Sequence, residues 1–485
     1  MIESAWRQVL VPIAVLFVLS GCASTASQRL ADGGTATFPE PAAIADNVAF
    51  WRNVYGTWGR GDVAIHDDEH LGVVYEVARL PGPIGEGYDA AQRELVQARK
   101  AHYQWRLARL QEKVAAGQGL DREERALREK LVAAGGQGAI VGASQRVRSQ
   151  RGLRERFRRG LEISGRYEPA FREIMRLHGV PEDLAFLPHV ESSYQVHARS
   201  AVGAAGVWQF MPATGRQFMT VTPAVDERLD PVIAADAAAR YLRDAYGRLG
   251  SWPLAITSYN HGVGGMQRAK AAYGTDFGAI AEHYDGPAFG FSSRNFYACF
   301  LAAREVASAP ERYFPEGIRR ERPLDGDRLV LRQSLPASDV ARHYGLSLQR
   351  LGALNLAWRD PVLAGRATLP AGSTVWLPAG SLQRVAGHPQ PSPVLVAQAM
   401  PATATRKVMP AVAQPKAPAK VAAVAKPAAA KPRAATVKHH VVKPQETLYR
   451  VALQYELSVD ELRRLNQIAP NDNTIRPGQR LRVSS

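Results

Sequence analysis

No aspartate or glutamate occurs between Pro361 and Gln445, and residues 381–438 consist mostly of Ala, Pro, Lys and Val. Such a segment buries too little apolar surface to offset the entropy of ordering it. Its prolines favour an extended chain. The sequence therefore cannot fold around a single core. It must form separate pieces on either side of a flexible cationic linker. Those pieces are related: Val340 to Asn355 aligns with Val451 to Asn466, and eight of the sixteen positions are identical. Each copy is followed by a glycine and an apolar run, Gly372 to Leu377 and Gly478 to Val483. One small module is present twice.

The remaining length is generous. At 485 residues the chain has room for about three domains. An apolar fraction of 46% with 22% charged residues excludes a wholly disordered chain and a multi-span membrane protein. Two cysteines, Cys22 and Cys299, exclude a disulfide framework and a Cys-rich zinc site. The net charge of +16 favours an anionic partner: nucleic acid, anionic lipid or an acidic wall polymer. Charge alone does not choose among them.

The N-terminus reads as an address. Val9 to Leu19 is an apolar run preceded by Arg7 and broken only by Pro12. It is too short to span a bilayer, which takes about 20 residues, and fits a secretory signal. It ends in Leu19-Ser20-Gly21-Cys22, which resembles the lipobox of bacterial lipoproteins. The resemblance implies that residues 1–21 are removed, that Cys22 is acylated and that residues 22–45 form a tether. Ala23 after the cysteine then implies the periplasmic face of the outer membrane. The alternative is an ordinary signal peptide with an incidental cysteine. Secretion argues against a nucleic-acid partner. With Cys22 acylated, Cys299 reads as a small buried hydrophobe.

Residues 46–165 read as an N-terminal helical region. Its first part, 46–86, holds Phe50, Trp51, Tyr55 and Trp58 with short β-branched stretches and gives no clear period. From Tyr88 to Ala116 the pattern is helical, with Val96, Tyr103, Leu107, Leu110 and Val114 along one stripe. Gly117-Gln118-Gly119 breaks it and Asp121 starts a second helix, which gives a helical hairpin or an extended pair. Residues 166–318 carry the densest helix signals. Asp230-Pro231 opens a helix with Ile233, Ala237, Tyr241, Ala245 and Leu249 on one face, closed by Gly250. Ser292 or Ser293 offers a cap for a last helix through Val306. No alternating pattern interrupts this block, so a mainly α domain is expected.

The chemistry concentrates inside that domain. Leu184, Phe186, Leu187 and Val190 lead into Glu191-Ser192-Ser193-Tyr194, followed by Ser200 and Gly203-Ala204-Ala205-Gly206-Val207-Trp208-Gln209-Phe210-Met211-Pro212. A carboxyl at the end of an apolar helix is partly desolvated, which raises its pKa. A protonated carboxyl near neutral pH is what a general acid needs to protonate a glycosidic oxygen. The small residues at 203–206 let a bulky ligand approach the backbone. Downstream, Ser258-Tyr259-Asn260-His261-Gly262 places Tyr259 and Asn260 at a helix end.

With these spacings the segment resembles the soluble-type lytic transglycosylase catalytic domain, of goose-type lysozyme fold. The matching residues are Glu191-Ser192, Ser200, Gly206-Val207-Trp208-Gln209-Phe210-Met211-Pro212 and Tyr259-Asn260. Val207-Trp208 stands where the family has Leu-Met, Ser258 and His261 where it has Ala. Trp208 resembles the membrane-bound lytic murein transglycosylase D group. The resemblance implies cleavage of the β-1,4 bond between N-acetylmuramic acid and N-acetylglucosamine in peptidoglycan. Glu191 would be the general acid and then the base. The muramyl 6-hydroxyl would attack and leave a 1,6-anhydro end, so no second carboxylate is required and no cofactor is implied. Glu182 and Asp183 sit about two turns from Glu191 on a continuous helix and receive no catalytic role. Carried over from the family, Ser200 and Tyr259 would orient Glu191 or the N-acetyl group, and Gln209 and Met211 would line the sugar cleft. Asn260 stands beside Tyr259 in the motif, and Tyr297 in the last helix matches a family tyrosine more loosely. A hydrolytic muramidase on the same fold and a non-catalytic wall-binding scaffold are the other readings.

The C-terminal copy, within residues 439–485, resembles a LysM domain: Thr447-Leu448-Tyr449, Leu462, Leu465-Asn466, Ile475 and Pro477-Gly478-Gln479-Arg480-Leu481. The resemblance implies a βααβ fold that binds N-acetylglucosamine-containing glycans between two loops, here with Thr447, Leu448, Asn473 and Ile475. Gln445-Glu446 replaces the usual Gly-Asp. The first copy, 322–380, lacks that loop motif and is either a structural spacer or a binder. The whole chain thus reads as multidomain, a mainly α lysozyme-like domain plus small α+β modules.

Weaker signals remain. His66 and His70 form an i, i+4 pair if helical, but lack a matched third ligand, so a solvated turn is preferred and no metal site is assigned. His439-His440 reads as the end of the linker. Arg154 to Arg159 forms an Arg-rich helix face, either solvated or in contact with anionic glycan or lipid.

Overall fold

The computed structural model describes residues 37–386, 398–400, 439–442, 459–468 and 478–483. The chain divides into two units, Met1–Lys407 and Val408–Ser485.

The first unit opens with α1 (Ala45–Gly56), followed by strands β1 (Asp62–Asp67) and β2 (Val74–Arg79). Two long helices come next, α2 (Ala90–Ala115) and α3 (Arg122–Gly135), then β3 (Val147–Arg151). The helices start where the sequence offers a cap: Asp89 with Gln92, and Asp121 with Glu124, each form a reciprocal capping box. The region read as helical therefore also contains a three-stranded antiparallel sheet of order β2-β1-β3. β1 is buried along almost its whole length. Val63 and Ile65 face the α2–α3 hairpin, where they pack with Leu107, Leu110 and Leu131. Ala64 joins the large core on the other side. A strand covered on both faces shows no polar–apolar alternation.

The large core belongs to a helical domain. It comprises α4 (Arg154–Leu177), a 3₁₀ turn (Glu182–Phe186), α5 (Leu187–Glu191), α6 (Pro212–Phe218) and α7 (Pro231–Leu249). α8 (Trp252–His261), α9 (Val263–Tyr273), α10 (Phe277–His283) and α11 (Phe291–Ser308) complete it. α4 runs unbroken through position 165, with Pro169 inside it. α1 is part of the same core, its Val48, Phe50, Trp51, Val54 and Tyr55 all buried there. The expected boundary near residue 165 is thus crossed both by a continuous helix and by an N-terminal helix. Asp230 caps α7 through Val232 and Ile233, and Gly250 ends it at φ 69°. The last helix begins at Phe291 after Gly290, so Ser292 and Ser293 lie inside it rather than capping it.

Next comes β4 (Asp327–Val330), α12 (Ala337–His343), α13 (Leu348–Leu354), α14 (Asp360–Leu363) and β5 (Thr374–Leu377). α15 (Ser381–Ala386) and β6 (Gln398–Met400) close the unit, and the sheet order is β5-β4-β6. Asn355, the last residue of the repeat, donates from Nδ2 to the Leu351 and Trp376 carbonyls at 2.8 and 2.9 Å. Its Oδ1 accepts from the Trp376 N–H at 2.8 Å.

In the second unit β7 (His439–Val441) pairs antiparallel with β8 (Arg480–Arg482), with α16 (Val459–Asn466) between them in sequence. His439-His440 is thus strand rather than linker end. Asn466 repeats the pattern: Nδ2 donates to the Leu462 and Arg482 carbonyls at 2.8 Å each, and Oδ1 accepts from the Arg482 N–H at 2.6 Å. The repeat seen in sequence is a repeat of one side-chain lock that ties a helix to a later strand, α13 to β5 and α16 to β8.

Candidate functional site

Glu191 ends α5 and lines a cavity of about 390 Å³, within the usual range of ligand pockets. It is the one carboxylate among the described residues that line it. The residue is half-buried, and among the described residues no hydrogen bond or ion pair reaches its carboxylate. Burial pushes its pKa from 4.5 up to about 8. The surroundings explain the size of the shift. Buried Tyr55 and Cys299 and partly buried Tyr259 lie within electrostatic reach of Glu191, and none offers a positive charge. His189, two residues earlier, is itself buried against Phe157 and Tyr194, and burial drops its pKa to about 3, so it stays neutral.

Neighbouring carboxylates are engaged elsewhere. Asp183 accepts from Arg172 at 3.0 Å and from Arg304 at 2.7 Å. It also sits in the 3₁₀ turn rather than on a helix continuous with Glu191.

The motif residues hold the loop that follows. Ser192 Oγ donates to the Val207 carbonyl at 2.8 Å, and the Tyr259 hydroxyl donates to the Trp208 carbonyl at 2.9 Å. Gln209 Nε2 donates to the Gly206 carbonyl at 2.7 Å and to that of Ala198 at 3.3 Å. Ser200 Oγ accepts from the Ala204 N–H at 2.9 Å, which closes the turn. Ser200, Gln209 and Tyr259 thus act on the loop backbone, and none of them hydrogen-bonds Glu191. Ser193, Tyr194 and Gln209 adopt φ of 52°, 58° and 47°, the left-handed region. Such strain in non-glycine residues persists where the surroundings over-determine it, and it clusters at functional sites. Gly206 has φ 79°, and a Cβ there would lie 1.8 Å from the Arg228 carbonyl oxygen. Met211 is 39% exposed at the head of α6 and lies outside the cavity lining. Asn260 lines the cavity, its Oδ1 accepting from Ser293 Oγ at 2.8 Å.

Tyr297 lies elsewhere. Its ring is fully buried against Phe277 and Phe300, and its hydroxyl donates to the Pro39 carbonyl at 2.8 Å. The face of α11 that meets the cavity carries Ser292, Asn295, Phe296 and Cys299 instead. At about 100° per residue Tyr297 points away from that stripe.

Sequence reasoning missed much of the wall. Trp51 and Tyr55 come from α1, Gln150 from β3 and Arg156 from α4. The aromatic content of 46–58 was the available signal. The Arg-rich run divides: Arg154 pairs with Glu316, and Arg159 with Glu162 and Glu321, while Arg156 lines the cavity. His66 is buried within β1 rather than in a solvated turn, so the i, i+4 pairing with His70 does not form; its ring packs on Phe50 at 4.6 Å. Cys22, Thr447, Leu448, Asn473 and Ile475 lie outside the described residues.

The site is thus one desolvated acid in a ligand-sized cavity of a helical domain. Residues 169–278 match the Transglycosylase SLT domain family, and residues 440–484 match the LysM domain family. The chain therefore carries an SLT transglycosylase domain and a LysM domain. It is 28% identical over 201 residues to the membrane-bound lytic murein transglycosylase D of Escherichia coli K12, covering 39% of this chain and 42% of the relative. It is 32% identical over 111 residues to a putative tributyltin chloride resistance protein of an Alteromonas species, covering 22% of this chain and 54% of that one. The chain thus spans about half or less of the curated relatives it matches. Among solved structures, a lytic transglycosylase Slt inactive mutant from Pseudomonas aeruginosa aligns at 18% identity and TM-score 0.27, over 40% of this chain and 31% of that one. The 70 kDa soluble lytic transglycosylase of Escherichia coli aligns at 18% identity and TM-score 0.23, over 48% and 32%.

Proposed function

We propose that this protein is a peptidoglycan lytic transglycosylase that cleaves the β-1,4 bond between N-acetylmuramic acid and N-acetylglucosamine. The observation that carries the reading is Glu191: the one carboxyl among the described residues lining a ligand-sized cavity, its pKa pushed up to about 8 by burial. Glu191 donates its proton to the glycosidic oxygen as the bond to the muramyl anomeric carbon breaks. The carboxylate left behind takes the proton of the muramyl 6-hydroxyl as that oxygen bonds to the anomeric carbon. The products are a 1,6-anhydromuramyl end and a free N-acetylglucosamine hydroxyl, and Glu191 is protonated again. Ordinary glycosidases place a second carboxylate about 5–10 Å away to attack or to activate water. The internal nucleophile of the substrate removes that need, and Asp183 is held by two arginines.

Ser192, Gln209 and Tyr259 support the reaction by fixing the loop 203–210 beside the acid, with Ser200 closing its turn and Asn260 in the cavity wall. The C-terminal LysM domain holds the wall through Thr447, Leu448, Asn473 and Ile475. Acylated Cys22 holds the membrane, at the periplasmic face of the outer membrane.

Mass spectrometry of muropeptides released from sacculi tests the reading. Anhydromuramyl ends from the wild type and none from Glu191→Gln are expected. Reducing muramyl ends alone would mean that water attacks, the mode of a hydrolytic muramidase. Release of no muropeptides by the wild type would leave a wall-binding scaffold.

A further inference from the structure

The first copy of the repeated module has its own interior. Leu335 and Leu369 exchange backbone hydrogen bonds at 3.0 and 2.8 Å, and both side chains are buried. The Ala371 N–H is taken by Ser334 Oγ at 3.2 Å. Matched through the repeat, these are the two segments that flank the glycan groove implied for the C-terminal copy. Here they are laced to each other.

The module is also bonded to the SLT domain. The Asp226 N–H donates to the Ala357 carbonyl at 2.8 Å, and the Arg359 N–H to the Ala224 carbonyl at 3.0 Å. Trp376 sits in the core of the helical domain, and its indole donates to Asp230 Oδ2 at 2.6 Å. From Asp226 a chain of charged contacts reaches the catalytic loop. Arg359 meets Asp226 Oδ2 at 3.3 Å. Arg228 grips both oxygens of Asp226 at 2.8 and 2.9 Å. Arg228 Nη1 then donates to the carbonyls of Gly203 and Phe210 at 2.8 and 2.9 Å, the two ends of the loop beside Glu191. Asp226 and Arg228 are buried, where charge-assisted hydrogen bonds are strong and geometry is rigid.

We propose that residues 324–380 act as a brace for the catalytic loop, with Arg359 a positioning residue working through Asp226 and Arg228, and not as a second glycan-binding module. Only the kinetic arm of its test rests on the transglycosylase reading.

Arg359 is half-buried at the junction, so Arg359→Ala in the full chain removes the side-chain contact to Asp226 while the backbone bonds at Ala224 and Ala357 and the Trp376–Asp230 bond keep the module docked. Amide hydrogen exchange over residues 203–210 is expected to quicken about tenfold. On sacculi, kcat falls about tenfold with KM and wall affinity unchanged. Arg359→Lys restores most of both, which a merely structural defect would not show. Unchanged exchange in the loop overturns the brace, as does loss of wall affinity with exchange and kcat intact. A wild type that releases no muropeptides sinks the transglycosylase reading, and the exchange measurement still decides the brace.

Discussion

At Glu191 burial raises the carboxyl from 4.5 to about 8, and the sign of that shift has two consequences. As a general acid Glu191 is competent when protonated, so kcat/KM is expected to decline as pH rises through about 8, read from initial rates across pH 5 to 10. For stability, the folded state binds this proton more tightly than the unfolded state does. Burial therefore destabilises the protein increasingly as pH rises from 4.5 to about 8, and not below 4.5. Glu191→Gln is expected to lack activity yet melt higher than wild type at pH 8, with the gap closing by pH 4; an equal or lower melting temperature at pH 8 contradicts the burial of this acid. Gly206 is constrained by space as well as by conformation, since any Cβ meets the Arg228 carbonyl oxygen. Gly206→Ala is expected to cost about 2–4 kcal/mol in denaturant unfolding and to abolish turnover, because the loop cannot keep its backbone. The motif residues around Glu191 were legible because their types and spacing are local. Their partners were not: that Ser192, Gln209 and Tyr259 engage loop carbonyls rather than the acid depends on the path of the chain in space.

At the scale of elements, helices with their own start signals were readable. Asp121 and Asp230 each cap the helix that the sequence starts there, and Asp89 caps the one read from Tyr88. β1 was not readable, because covering by the α2–α3 hairpin on one face and the helical core on the other leaves Val63, Ala64 and Ile65 a continuous apolar run. Tyr297 was assigned from motif order, whereas helix phase turns it toward Pro39 and gives the cavity to Asn295, Phe296 and Cys299. The larger omission was α1, since nothing in 46–58 signals that it packs against α11. Its consequence is testable, because Trp51 and Tyr55 line the cavity from outside the segment matched to the SLT family. Trp51→Ala is expected to raise KM for glycan strands about tenfold, with a smaller change in kcat, since an aromatic wall binds substrate and transition state alike. A kcat loss at unchanged KM would assign Trp51 to the chemistry instead.

At the scale of the whole molecule, the proposed catalysis and the proposed wall attachment fall in different units. The repeated lock of Asn355 and Asn466 marks two copies of one fold, to which the brace proposal gives different tasks. The first is bonded into the SLT domain at Asp226 and Asp230. The second lies beyond a segment rich in Lys and Pro, in the separate unit Val408–Ser485. Binding to wall raises the local concentration of glycan at the cavity without changing the chemical step. A chain ending after residue 407, which keeps the whole first unit, is therefore expected to turn over short soluble glycans at the wild-type rate. On intact sacculi below saturation it should release products about tenfold more slowly. Part of the attachment is electrostatic, given the net charge of +16, so added salt should slow the full chain on sacculi more than the shortened one. Equal rates of the two chains on sacculi at every salt concentration would place substrate capture in the cavity itself, with Arg156 as the cationic contact.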